Sequence, residues 1–170
     1  MRRSSALVKK PLAQTEPGEL IRYSFGEQAS LLLFLERREE SSGLFGVITS
    51  PAFSDNMATY EMCLDGYCLS YGFDWFLEEI HGPETTVGGN RSDQTISLVI
   101  DVVGAVFVFR PENRQYGGRP TFFDVSASKI IQNFDRQKSA PVMEWRLWES
   151  EDHCSNDRAV LFEIPSKHDA

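Results

Sequence analysis

The chain has 170 residues and a mass of 19.3 kDa, with 41% hydrophobic and 12% aromatic residues, enough for one packed core without metal or disulfide staples. A mean hydropathy of −0.31, 25% charged residues and only three cysteines exclude a membrane-helix protein, a coiled coil, a collagen and a disulfide framework. Seventeen basic against 25 acidic residues leave a net charge of −8, and Arg2, Arg3, Lys9 and Lys10 sit in the first ten residues, so the rest is more acidic still and repels phosphate backbones.

Residues 1–18 are polar and basic, broken by Pro11 and Pro17-Gly18, and read as a flexible N-terminal tail ahead of a single globular domain over 19–166 and a frayed 167–170. Ala6-Leu7-Val8 is too short for a signal-peptide core. The longest apolar run, residues 96–109, carries Asp101 and falls short of the roughly 20 residues that cross a bilayer. The expectation is a cytoplasmic protein with reduced thiols and no membrane contact.

Glu19 to Phe25 reads as a first strand. Residues 27–40 fit two elements: a helix, from the Ser24-x-x-Glu27 capping box and the stop at Gly43, or a buried strand paired to Leu44–Thr49. Tyr60–Leu64, Asp65-Gly66 and Tyr67–Tyr71 read as a two-residue type I′ hairpin in which Cys63 faces Cys68. Its expected core face is Tyr60, Met62, Leu64, Tyr67, Leu69 and Tyr71. The second strand either runs on to Leu77 or gives way to a short helix over 74–81. Strands follow at 95–100 and 105–110, with Gly104 as a turn or bulge between them, and at 121–125. Ala127, Ile130, Ile131 and Phe134 fall at helical spacing behind Ser126, which predicts a helix over 126–134. Val142–Trp148 alternates, residues 149–158 form an acidic loop, and 159–164 close the fold as a strand. The expected class is α+β: a mainly antiparallel sheet or open barrel with one to three helices, or else an all-β sandwich or barrel.

Motif chemistry is sparse. The chain has no Walker-type or dinucleotide glycine loop, no H-E-x-x-H, no G-x-S-x-G and no C-x-x-C. Asp152-His153-Cys154 are too close in sequence to share one ion, so no metal and no cofactor are expected. Asp101, Asp124 and Glu163 are acids within apolar strands and would form an acid/base group if they faced one cavity. Gly88-Gly89-Asn90-Arg91 and Gly117-Gly118-Arg119 join exposed backbone amides to an arginine, a combination that cradles carboxylate or phosphate. Trp148 beside Arg146, on the face opposite Trp145, has the makeup of an interface anchor. A facing Cys63–Cys68 pair would be close enough to close a strained, reducible disulfide.

Three functions follow in order. The first is a non-catalytic protein-binding, adaptor or chaperone-like domain, with a protein partner or self-association as a homo-oligomer. The second is a small-molecule-binding barrel or enzyme with an acid-lined pocket. The third is a thiol redox switch.

Overall fold

The computed structural model describes residues 7–53, 55–80, 96–111 and 118–164. Among these the chain forms fourteen strands and one short α-helix in three antiparallel sheets, with no closed barrel. The mainly antiparallel class expected from the sequence is the one observed.

The largest sheet contains β1 (Val8–Pro11), β2 (Leu20–Phe25), β3 (Gln28–Arg37), β4 (Ser42–Thr49), β5 (Ala58–Cys63) and β6 (Tyr67–Gly72) in the order β1-β6-β2-β3-β4-β5. The 27–40 ambiguity resolves as strand. Leu31, Leu33 and Leu35 of β3 enter one apolar cluster while Leu32 and Phe34 enter another. On β4, Leu44 and Ile48 belong to the first cluster, Phe45 and Val47 to the second. Both faces of this hairpin are buried, so its strands read as unbroken apolar runs instead of alternating.

The expected β5–β6 hairpin does not form. β5 pairs with β4, and β6 pairs with β1 and β2. Four strand spacings of about 4.8 Å separate β5 from β6 across a flat sheet, whereas the chain from Cys63 to Tyr67 reaches about 14 Å at most. The sheet therefore curls until its β5 end approaches β6. Two register shifts in the β3–β4 pairing, at Leu31/Leu32 and Phe34/Glu36, add local twist. Of the Asp65-Gly66 pair only Gly66 has positive φ (87°), so the turn is not type I′. The change of partner also reverses the first part of β6: Cys68 and Ser70 are buried while Tyr67 and Leu69 are exposed, and only Tyr71 of the expected core face of this strand is buried.

The expected tail is structured from residue 8. β1 pairs with β6, Leu12 is fully buried, and Lys10 Nζ donates to both carboxylate oxygens of Glu19 at 2.9 and 3.1 Å. Glu19 is itself buried and also accepts from the Glu16 amide and the Ser70 hydroxyl. Residues 1–6 and 165–170 lie outside the described residues.

The second sheet has the order β11-β10-β9-β8-β12, from β8 (Leu98–Asp101), β9 (Gly104–Phe109), β10 (Thr121–Asp124), β11 (Lys129–Ile131) and β12 (Ala140–Val142). The third is β14-β13-β7, from β7 (Phe76–Glu79), β13 (Trp145–Trp148) and β14 (Phe162–Ile164). β7 replaces the helix weighed over 74–81. The loop expected over 149–158 contains α1 (Glu151–Ser155), capped by the Ser150 hydroxyl. All three sheets contribute to the first cluster, which gathers Leu33, Phe107, Phe109, Trp145 and Leu147. A parallel bridge at Ala58–Arg110 further ties the end of β9 to β5.

The helix expected over 126–134 is instead a hairpin, with Phe122 opposite Ile131 and Phe123 opposite Ile130. Ile130 packs on the first cluster, whereas Ile131 and Phe134 pack on a third around Val99, Val106 and Val108. Apolar residues at helical spacing thus serve opposite faces of a strand. The turn is held by Asp124, whose carboxylate accepts from the Ser126 hydroxyl at 2.8 Å and the Ala127 amide at 2.9 Å.

Gly46 marks where the first two sheets meet. A Cβ there would lie 2.3 Å from the Phe109 ring. Gly46→Ala is expected to destabilise the fold by about 2 kcal/mol in chemical denaturation. Phe109→Leu should recover part of that loss in the double variant, so the two effects should not add.

Candidate functional site

The structure disperses most of the residues singled out in the sequence. Asp101 sits at the turn of the β8–β9 hairpin opposite Gly104, and its carboxylate accepts from the Val102 amide at 2.7 Å. Asp124 is 4% exposed and spends its oxygens on the turn described above. Burial alone would raise its pKa, but the hydrogen bonds from Ala127 and Ser126 and the charge of Lys129 outweigh burial and hold the carboxyl below its ordinary value. Glu163 lies on β14, with Oε2 accepting from Arg146 Nε at 3.1 Å. The three acids occupy separate places and line none of the cavities described below. The structure thus does not bring the three acids together: two cap turns and one is half of an ion pair.

Trp148 is not an exposed anchor. It is 4% exposed, and its indole donates to Glu78 Oε2 at 3.0 Å. Arg146 lies between two carboxylates, with Glu163 on one side and Glu78 at 3.8 Å on the other. α1 packs on β13 and β7. Its Cys154 thiol is hydrogen-bonded to Glu78, and its pKa is raised by burial first and then by that carboxylate's charge. At the expected interface Trp148 is thus buried, while Arg146 is a part-exposed residue paired with two carboxylates beside a short helix.

The facing thiol pair is corrected as well. Cys63 lies opposite Ser42 and is exposed, whereas Cys68 lies opposite Lys10 and is buried. Burial, followed by the charge of Glu19, pushes the Cys68 pKa up to about 11, which leaves it a poor nucleophile. All three cysteines are free. Arg91 falls outside the described residues. Among those described, no group of three or more His, Cys, Asp or Glu side chains is placed to hold a metal ion, and no helix is long and apolar enough to cross a membrane.

Arg119 is the candidate that meets other functional groups. Immediately before it, Gly118 lies against Pro111, where a Cβ would come within 2.8 Å of the Pro111 Cβ, so the close approach requires glycine. Arg119, two residues before β10, stands at the rim of an open cleft of about 560 Å³. The cleft runs between the end of β3 and the β10–β11 hairpin. Among the described residues, Arg38, Arg119 and Arg136 line it against one acid, Glu36, together with Gln132 and Asn133. Its apolar wall is Phe122 and Phe134, stacked with centroids 4.3 Å apart. The Arg136 guanidinium lies 5.3 Å from the Phe122 ring centroid, within cation–π range. Arg38 is paired with Glu36, while Arg119 is exposed with no ion-pair partner among the described residues.

Of these only Arg119 carries a sequence signal as a site residue: Arg38 falls in the charged end of the 27–40 segment, and Arg136 lies beyond the expected 126–134 helix. Their convergence depends on β11 approaching β3, a contact between segments about ninety residues apart.

The depressed Asp124 carboxyl gives a pH test of the turn that shapes one side of the cleft. A carboxyl whose folded pKa lies below its unfolded value of about 3.9 contributes stability above that value and loses it as pH falls through the folded pKa. Asp124→Asn is therefore expected to cost about 1 kcal/mol at pH 7, and the gap to the parent should close in strong acid. Equal loss at both pH values would assign the turn to something other than the charge. Compared with known protein families, curated proteins and solved structures, the chain matches none, so the chemistry of the cleft is what bears on its function.

Proposed function

We infer that this chain is a binding module that receives an anionic group of its ligand or partner in the arginine cleft. The carrying observation is the convergence of Arg38, Arg119 and Arg136, with Glu36 the one acid among the described lining residues, in a chain of net charge −8. On such a surface a local excess of guanidinium groups needs a purpose. Guanidinium offers a planar fork of donors that matches carboxylate and phosphate oxygens. The other described lining groups are the amides Gln132 and Asn133, the Thr121 hydroxyl and apolar side chains, none of which titrates near neutral pH. Binding, rather than acid–base catalysis, is the chemistry they support. An acidic protein that presents its anion site as one basic cleft also restricts approach, since the surrounding field repels anions from elsewhere. A cytosolic setting belongs to this reading and is supported by three unbonded cysteines.

Inorganic pyrophosphate serves as a probe because its charge is compact and it carries no apolar group. Calorimetric titration at low ionic strength should give one site whose affinity falls as salt is raised. Arg119→Ala and Arg136→Ala should each weaken it about tenfold, consistent with loss of one charge-assisted contact. Arg22→Ala, at an arginine over Tyr71 in the first sheet, should leave it unchanged. Equal affinity in all four proteins would sink the assignment.

A further inference from the structure

A second cavity adjoins the cleft. It holds about 100 Å³ and is lined by Ile96, Val99, Val108, Ser139 and Pro141, together with Phe122 and Arg136, which also line the cleft. The register explains its position. Val99 lies opposite Pro141, and Val108 lies opposite Phe122, so these side chains share the outer face of the second sheet. That face carries the cluster of Val99, Val106 and Val108, away from the core shared by the three sheets. Ser139 closes the rim, its hydroxyl donating to the Arg136 carbonyl at 3.0 Å.

The two cavities differ in chemistry and touch at one boundary. One presents guanidinium groups and amides; the other presents valine, isoleucine, proline and a ring. Arg136 and Phe122 form the boundary, so an oxyanion held by Arg136 sets whatever is attached to it beside the apolar cavity. The cavity is small, about 100 Å³, and suits a short branched chain.

We propose that the ligand is an amphipathic organic anion: a carboxylate on the arginines, joined to a branched aliphatic group of three to five carbons seated among Val99, Val108 and Pro141. This rests on the anion-binding reading above and adds the apolar half. The same chemistry occurs in a free short-chain branched acid and in the C-terminal leucine or valine of a peptide.

The test is ligand-observed NMR titration of the full chain with four probes: acetate, 4-methylpentanoate, 4-methylpentanamide, and a short peptide ending in leucine with a free carboxylate. 4-Methylpentanoate is expected to bind at least tenfold tighter than acetate, since burying the branch adds apolar transfer to the ionic contact. The amide should bind at least tenfold more weakly than the acid. Ser139→Leu, which fills the cavity from its half-exposed rim, should reduce 4-methylpentanoate to the affinity that acetate has in the same variant. Tighter binding of the peptide would identify a chain terminus as the source, and tighter binding of the free acid a small molecule; either supports the proposal. Acetate and 4-methylpentanoate binding equally, with pyrophosphate still bound, would overturn the apolar half alone. No binding by any of these anions, pyrophosphate included, would overturn both readings. Equal binding of acid and amide would leave an apolar cavity without an anion site and overturn the proposal.

Discussion

The constraint on which this structure depends is the burial of both faces of the β3–β4 hairpin. Leu31 to Leu35 are all buried, and they alternate between two clusters on opposite sides of one sheet. A strand in that position has no solvated face, so its neighbours must supply cover on both sides. On one side the sheet covers itself by curling, which brings β5 and β6 near each other and encloses Phe34 and Phe45 with Ile21, Leu64 and Cys68. On the other side the second and third sheets provide the cover, through Phe107, Phe109, Phe123, Trp145 and Leu147. Gly46 permits that contact by leaving space for the Phe109 ring.

The cleft follows from this arrangement. Once the second sheet is docked, its β10–β11 edge comes beside the end of β3. Glu36 and Arg38, just beyond the apolar run, are then placed across from Arg119 and Arg136. The polar ends of apolar strands gather at a rim that neither cluster fills. Among the described residues no sheet covers the outer face of the second sheet, and the segment carrying Phe134, Arg136 and Ser139 closes it only in part. The small apolar cavity is what that partial cover leaves.

Much of the strand content was legible in the sequence because it is a local property. The β-branched runs around Val99 and Val108 and the alternation of Trp145 and Leu147 are read from neighbours along the chain. Pairing was less legible. Tyr60 to Tyr71 has every local feature of a hairpin, yet β5 and β6 each find better cover with other strands, and Cys68 turns inward as a result. Ala127, Ile130, Ile131 and Phe134 match a helix by their spacing, yet Ala127 is exposed at the turn and the other three pack on two faces of a bent hairpin; the Asp124 turn decides between them. The site was least legible. Arg119 stood out beside its glycines, but Arg38 and Arg136 gain meaning only when strands distant in sequence come together. Trp148 and Arg146 misled for the same reason, since their cover comes from Glu78 on β7 and from a five-residue helix.

The central claim is that one basic cleft, rather than the acidic surface at large, takes up anions. Backbone amide shift mapping during a pyrophosphate titration tests it most directly, because it reports position as well as affinity. The result expected is a saturable set of shifts confined to residues 36–38, 119–122 and 130–136, with the Lys10–Glu19 and Arg146–Glu163 regions unmoved. Shifts centred on either of those regions, or small linear shifts spread over the whole chain, would contradict it.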